Sequence, residues 1–416
     1  MRELDPFNAT DETERQKILA TLYQQKKRPS CPCKTPPIEM YIAKVGDRYI
    51  VKRMPDTGAL HAPDCESYEP PAELSGLGEV LGSAIKENAE SGVVELRFDF
   101  SMAKMPGRKP VENSGTEEDS VRTDGSKLTL RSTLHYLWEQ AGFNKWTPAM
   151  EGKRSWYVIR KHLIAAASDK LAKGKTLADQ IYIPETFSQE KKAAIKQHWL
   201  GLVGRLSPQA TGPKQLMILI GEVKEIMPAR YGSQLIIKHA PEIRFFLPAD
   251  LHKKMEKRFA DELMFHQDLD DIHLMAIATF SVNVAGSATI EELALMPVTD
   301  NWIPFETIHD KALIKEMTDN QRRFTKGLRY NLPRQKPLAS VVLSDTAPHP
   351  TACYILPVEI SEEYQIALDQ LQEDSQLTAW TWISDEYQIP DLPPPAPKPT
   401  KPASAQEQVK PEHIQE

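Results

Sequence analysis

Long apolar runs are missing from this 416-residue chain; stretches such as Leu163–Ala167 and Leu216–Ile220 stop after five residues. A membrane helix needs roughly 20, so no membrane partner is expected. Cysteine is scarce, with four in all. That is too few for a disulfide scaffold, and it makes the cytoplasm the expected location. An apolar leader is not seen either: Met1-Arg-Glu-Leu-Asp-Pro6 turns acidic at once, so no signal peptide is expected. There is no G-x-x-x-x-G-K-S/T phosphate loop and no G-x-S-x-G elbow, and no two histidines stand in H-x3-H spacing. Gly76-Leu-Gly78 lacks the further glycines and the strand-then-helix setting of a nucleotide loop. No small-molecule cofactor is expected.

Against those absences, three of the four cysteines fall close together. Cys31 and Cys33 precede His61 and Cys65 by a hairpin-sized gap. Two close pairs separated in this way put four soft donors on one tetrahedral ion. Within the gap Ile38, Met40 and Ile42 alternate with polar residues, Gly46-Asp47 supplies a turn, and Arg48–Arg53 returns as a second strand. The spacing therefore predicts Zn²⁺ bound by Cys31, Cys33, His61 and Cys65. Four protein ligands close the site, and closed zinc sites are structural.

The expected architecture is multi-domain α+β. An N-terminal helix or arm occupies 1–27, with Thr10 as its N-cap, and the zinc-stabilised hairpin module occupies 28–75. Residues 76–127 hold a helix over 76–90, a strand over 93–100, and a flexible linker poor in apolar side chains. Residues 128–206 read as a basic helical domain whose element order resembles a winged helix. Residues 207–387 read as a mixed α/β domain with hairpin-like strand pairs, a helix from Pro248 to Phe265 and another over 305–326, and Ser361 capping a last helix. From 388 to 416 a Pro-rich tail reads as disordered, and it offers bait for a protein partner.

The small net charge of −7 hides segregation: segments 26–53, 127–205 and 311–336 each carry a surplus of six to eight positive charges. Aromatics interleave with the basic residues in Trp156–Arg160 and Arg322–Tyr330. Such runs suit phosphate contacts with a stacking option, against the plainer reading of solvated helix faces. The contact residues expected for DNA or RNA are Arg160, Lys161, Arg322, Arg323, Lys326 and Arg329.

Two pairs are weak catalytic candidates. Glu222 and Lys224 lie two apart after an apolar strand, where a metal-dependent nuclease would want them on one face. Asp345 and Glu359 follow successive strands. Neither pair has the complete nuclease pattern, because no Asp precedes Glu222 on a neighbouring strand and no lysine lies two after Glu359. Cys353, inside an apolar strand, reads as a buried structural thiol.

The chain resembles the bacterial domain-of-unknown-function family numbered 1173. The resemblance is carried by Cys31-Pro-Cys33, Tyr49–Pro55, His61–Pro70, Leu219–Glu225, Ile237-Lys-His239, Glu291–Pro297 and Arg323–Asn331. It implies a protein of plasmids and integrative elements, supports the grouping of the four metal ligands, and carries no mechanism. The combined expectation is a zinc-stabilised accessory factor of mobile-element type that binds nucleic acid or a partner. A metal-dependent nuclease and a protein–protein scaffold are the rivals.

Overall fold

Alternation and turn chemistry build the N-terminal hairpin as expected. Ile38–Val45 pairs antiparallel with Arg48–Arg53, with Ile42 opposite Val51, and Ser30–Cys31 adds to the other edge. Gly46 takes φ +59 in the turn, a conformation that costs glycine little. The helix Glu12–Gln24 lies over this sheet and buries Leu19 and Leu22 against Ile42. Its N-cap is Asp11, which accepts from the Glu14 amide. Thr10 instead donates from its hydroxyl to the Glu14 carboxylate at 2.6 Å. The computed structural model describes residues 5–88, 92–104, 125–206, 212–385 and 388–397; most of the expected linker and the tail beyond 397 lie outside them.

The chain is mixed α+β, with five sheets and nine α-helices among the described residues. The largest sheet closes on itself. Met217–Ala229 pairs with Gly232–Ile237, which pairs with Arg244–Pro248. The latter runs parallel to Ala288–Thr299, which pairs with Ile272–Val282, and that strand returns to Met217–Ala229. The long first strand serves both sides of the ring. Its first half faces Ile272–Val282 and its second half faces Gly232–Ile237, with a register shift between Val223 and Glu225. A bulge of this kind bends a strand and lets a small barrel close. Gly221 sits just before the bend, where a Cβ would meet the Ile237 side chain at 2.7 Å. Ile181–Tyr182 adds in parallel beside Ile218 and Leu219. Helix Lys192–Leu206 contributes Trp199, whose ring packs with Tyr182, Phe245 and Phe280 at centroid separations of 5.2 to 5.9 Å.

The second large sheet has five strands in the order Thr378–Ile383, Thr351–Leu356, Val341–Leu343, Phe324–Lys326 and Lys145–Trp146. Helices Ile308–Asp319 and Glu362–Ser375 accompany it, the latter capped by Ser361.

Several expectations are corrected here. The helix expected over 76–90 is one turn, Leu77–Val80, followed by the strand Ile85–Asn88; Gly82 at φ +71 breaks it. The helix expected over 305–326 stops at Asp319, Gln321 turns at φ +53, and Phe324–Lys326 becomes a buried strand. The helix from Pro248 is two, Ala249–Arg258 and Ala260–Asp268, parted at Phe259. Within 128–206 the helices Leu130–Gln140 and Trp156–Ser168 form. Of the short strands of that segment, Lys170–Ala172 and Lys175–Thr176 form a hairpin, which Val93–Leu96 extends from outside the segment, while Lys145–Trp146 and Ile181–Tyr182 join the two large sheets. One apolar core runs from Val80 to Tyr330. The start of the Pro-rich tail is held: Ile389 and Leu392 pack against the core around Phe324 and Trp382, and Pro393 accepts from Arg322 Nη1 at 2.7 Å.

Candidate metal centre and polar clusters

The hairpin, the Pro-rich turn before it and the 58–65 turn after it bring Cys31, Cys33, His61 and Cys65 together. One donor atom from each lies within 4.8 Å of all the others. Cys31 Sγ is 3.7 Å from Cys65 Sγ, and His61 Nδ1 is 3.3 Å from Cys33 Sγ and 3.7 Å from Cys65 Sγ. A tetrahedral zinc with bonds of about 2.1–2.3 Å has ligand–ligand edges of roughly 3.6–3.8 Å. The four side chains could therefore hold a metal ion such as zinc. His61 is fully buried. Burial and the charges of Arg53, Lys34 and Lys145 lower its pKa, which keeps the imidazole neutral, as a ligand must be. Burial pushes the Cys31 thiol up to about 12. Burial also opposes the Cys33 thiolate, but the Ala62 amide and the neighbouring cysteines outweigh it and lower that pKa. The Ser67 amide points at Cys65 Sγ at 3.4 Å, the kind of outer contact that orients a thiolate.

The module is tied to the body by charge. Lys145 Nζ donates to the Tyr68 carbonyl at 2.9 Å and lies 3.6 Å from Glu69, which also binds Arg53. Lys52 meets Asp169, which in turn binds the buried Lys170 at 2.6 Å. Tyr41 donates to Glu87.

Glu222 is buried, but Lys224 is not with it. Lys224 falls in the bulge, points to solvent and pairs with Glu225 at 3.6 Å. The groups that do meet Glu222 are His273 Nδ1 at 2.8 Å, Lys238 Nζ at 2.7 Å and His239 Nε2 at 3.8 Å. Burial would raise the Glu222 pKa, yet the bonds from His273 and Lys238 win and lower it. Trp302 stacks on His273 with centroids 4.1 Å apart, and Trp156 stacks on His239 at 5.1 Å. Trp302 does so at φ +61, a costly conformation for a bulky residue. The carboxylate fixes the His273 ring with Nδ1 turned inward. Nothing in the sequence brings these six positions together.

Asp345 is engaged by Arg322 and the Arg323 amide, and Glu359 is exposed beyond Thr351–Leu356. The expected phosphate contacts are largely internal. Arg322 is buried on Asp345, Lys326 is buried 3.2 Å from Asp310, and Arg329 binds Glu306 at 2.7 Å. Arg160 donates to the Ile183 carbonyl at 3.0 Å, while Lys161 is exposed and Arg323 half-buried. Arg322, Lys326 and Arg329 order loops, because their charged partners lie inside the fold.

A family model described as protein of unknown function (DUF1173) matches residues 5–385. The chain belongs to that family. Neither the curated proteins nor the solved structures give a match. The DUF1173 match spans the metal centre, the barrel and the second sheet together. No described helix is long and apolar enough to cross a membrane.

Proposed function

We propose that this DUF1173 protein is a zinc-stabilised accessory factor of mobile-element type that binds nucleic acid. The observation that carries the metal part is the convergence of four donors, with the Cys31–Cys65 and His61–Cys65 separations, both 3.7 Å, at the length of tetrahedral zinc edges. With four protein donors the ion has no open position, so it holds residues 28–70 together rather than acting on a substrate. The nucleic-acid part is supported by what surrounds that site. Lys26, Lys27, Arg28, Lys34, Lys44 and Arg48 are all exposed on the module. Among the described residues only Arg28 and Arg48 of these meet an acid, Glu39 and Glu12 respectively, in surface pairs that contribute little. Unpaired surface lysines are free to displace counterions from a phosphate backbone.

Metal content per chain, measured on freshly purified protein, should be close to one zinc, and Cys31→Ser or Cys65→Ser should abolish it. A DNA and RNA binding titration at two salt concentrations then tests the second part. Binding that weakens steeply with salt, and weakens further in Lys26→Glu/Lys27→Glu/Lys34→Glu, is the expected result. Absence of binding at the lower salt would leave a protein-binding scaffold as the reading to pursue by pull-down.

A further inference from the structure

The order of strands in the closed sheet carries more than its shape. Numbered along the chain, the five barrel strands run 1-2-3-5-4 and back to 1. The only parallel pair within that ring is 3 with 5, Arg244–Pro248 with Ala288–Thr299. Helices Ala249–Arg258 and Ala260–Asp268 lie between strands 3 and 4, and strand 1 is long, bent and shared. A five-stranded Greek-key barrel of this kind is the oligonucleotide-binding fold, whose ligands lie across strands 2 and 3 between the loops joining 1 to 2 and 4 to 5.

The residues at those places have the chemistry such a ligand needs. In the 1–2 turn Tyr231 is 71 % exposed, with the Arg230 guanidinium 5.1 Å over its ring. Met227, Gln234 and Phe246 form one cross-strand row on the outer face. Met227 is well exposed, and Gln234 and Phe246 are half-buried. Arg244 projects beside them, its Nη1 3.5 Å from Gln234 Oε1 and 3.8 Å from Met227 Sδ. In the 283–287 loop between strands 4 and 5, Val284 is 87 % exposed. Aromatic and apolar platforms interleaved with arginines suit unpaired bases on a phosphate backbone. The backs of the same strands, Leu235, Phe245 and Leu247, are buried in the core, so only this face is available.

We infer that the Gly232–Ile237 and Arg244–Pro248 face, flanked by Tyr231 and Val284, binds single-stranded nucleic acid by stacking on Tyr231 and Phe246 with Arg230 and Arg244 on phosphates. The inference rests on the nucleic-acid reading above but assigns the contact to the barrel, separately from the zinc module.

The test uses the full, zinc-loaded chain with fluorescent oligothymidylate, oligouridylate and a duplex of the same length. Wild type should prefer the single strands. Tyr231→Ala and Phe246→Ala should each weaken binding by about 5- to 160-fold, the usual worth of a stacked base. Arg244→Ala should make binding less sensitive to salt. Tyr231 and Arg244 are exposed, so those two variants keep the test valid if Phe246→Ala perturbs folding. If Tyr231→Ala and Arg244→Ala bind like wild type while Lys26→Glu/Lys27→Glu/Lys34→Glu loses binding, this inference is overturned and the proposed function stands. A wild type that binds none of the three probes overturns both.

Discussion

Asp345 takes two nitrogens of a single guanidinium, Arg322 Nε at 3.0 Å and Nη2 at 2.8 Å. The third nitrogen of Arg322 goes to the Pro393 carbonyl, so one buried pair anchors a loop on one side and the start of the Pro-rich tail on the other. Asp345→Ala would strand the guanidinium, and breaking a buried pair from one side costs about 3–5 kcal/mol. Ending the chain after Asp385 removes Pro393, Ile389 and Leu392 together and should lower Tm, whereas ending it after Pro397 keeps those contacts and should not. Thermal unfolding of the two truncations compares them directly; equal midpoints would show that the anchor adds nothing.

Asp169 lies between Lys52 and the buried Lys170. Removing the carboxylate leaves two ammonium groups facing each other, one of them out of water. Asp169→Ala should therefore be destabilising by several kcal/mol, on the order of the 3–5 kcal/mol of a broken buried pair. Lys170→Met keeps Asp169 paired with Lys52, fills the same space and should cost far less. Urea midpoints in the opposite order would refute this account of how the module docks.

Glu306 gives the fold an acid-sensitive contact. Burial would raise its pKa, but Arg329, Arg131 and Lys326 outweigh burial and hold it down at about 2. A carboxylate depressed in the folded state stabilises at every pH above its unfolded value, and that stabilisation drains away as pH falls toward the folded value. Glu306→Gln should therefore sit well below wild type in Tm at neutral pH and converge on it between about pH 4.5 and pH 2. A gap that stays constant across that range would contradict the assignment.

Gly76 shows why a G-x-G need not be a nucleotide loop. Its amide donates to the Leu328 carbonyl at 2.9 Å, and a Cβ there would fall 1.9 Å from the Arg329 carbonyl oxygen. Gly82 has φ +71 and open space around it. Gly76→Ala should cost more than the roughly 1–3 kcal/mol of ordinary overpacking, because a backbone oxygen cannot swing away, while Gly82→Ala carries only local strain of about 1 kcal/mol. Comparing the two by chemical denaturation separates lack of room from lack of conformational freedom.

Legibility in the sequence followed sequence distance. The hairpin was readable because Ile38 to Arg53 contains its own alternation and turn, and the four metal donors because two short spacings frame it. The barrel's strands were largely readable one by one, yet not its closure, which depends on pairings such as Phe245 with Ala288 and Met217 with Phe280. Phe324–Lys326 falls inside the helix expected over 305–326. Only the turn at Gln321 and pairing with Val341–Leu343 make it a strand. Burial explains the misplaced phosphate contacts: Arg322 and Lys326 look basic in the sequence, but Asp345 and Asp310 neutralise them in space. Glu222, His239, His273, Trp156 and Trp302 come from separate segments, and no spacing links them.

The second sheet imposes an order on synthesis. Lys145–Trp146 forms one of its edges and waits for Phe324–Lys326, while the opposite edge, Thr378–Ile383, comes later still. A ribosome that has made residues up to 300 has therefore finished the barrel strands but holds Trp146 without its strand partner Phe324. For that interval the nascent chain carries an unpaired strand, and unpaired strands and uncovered apolar surface make partly folded chains aggregate. Yield of the folded chain should accordingly fall when translation is slowed between Trp146 and Phe324–Lys326.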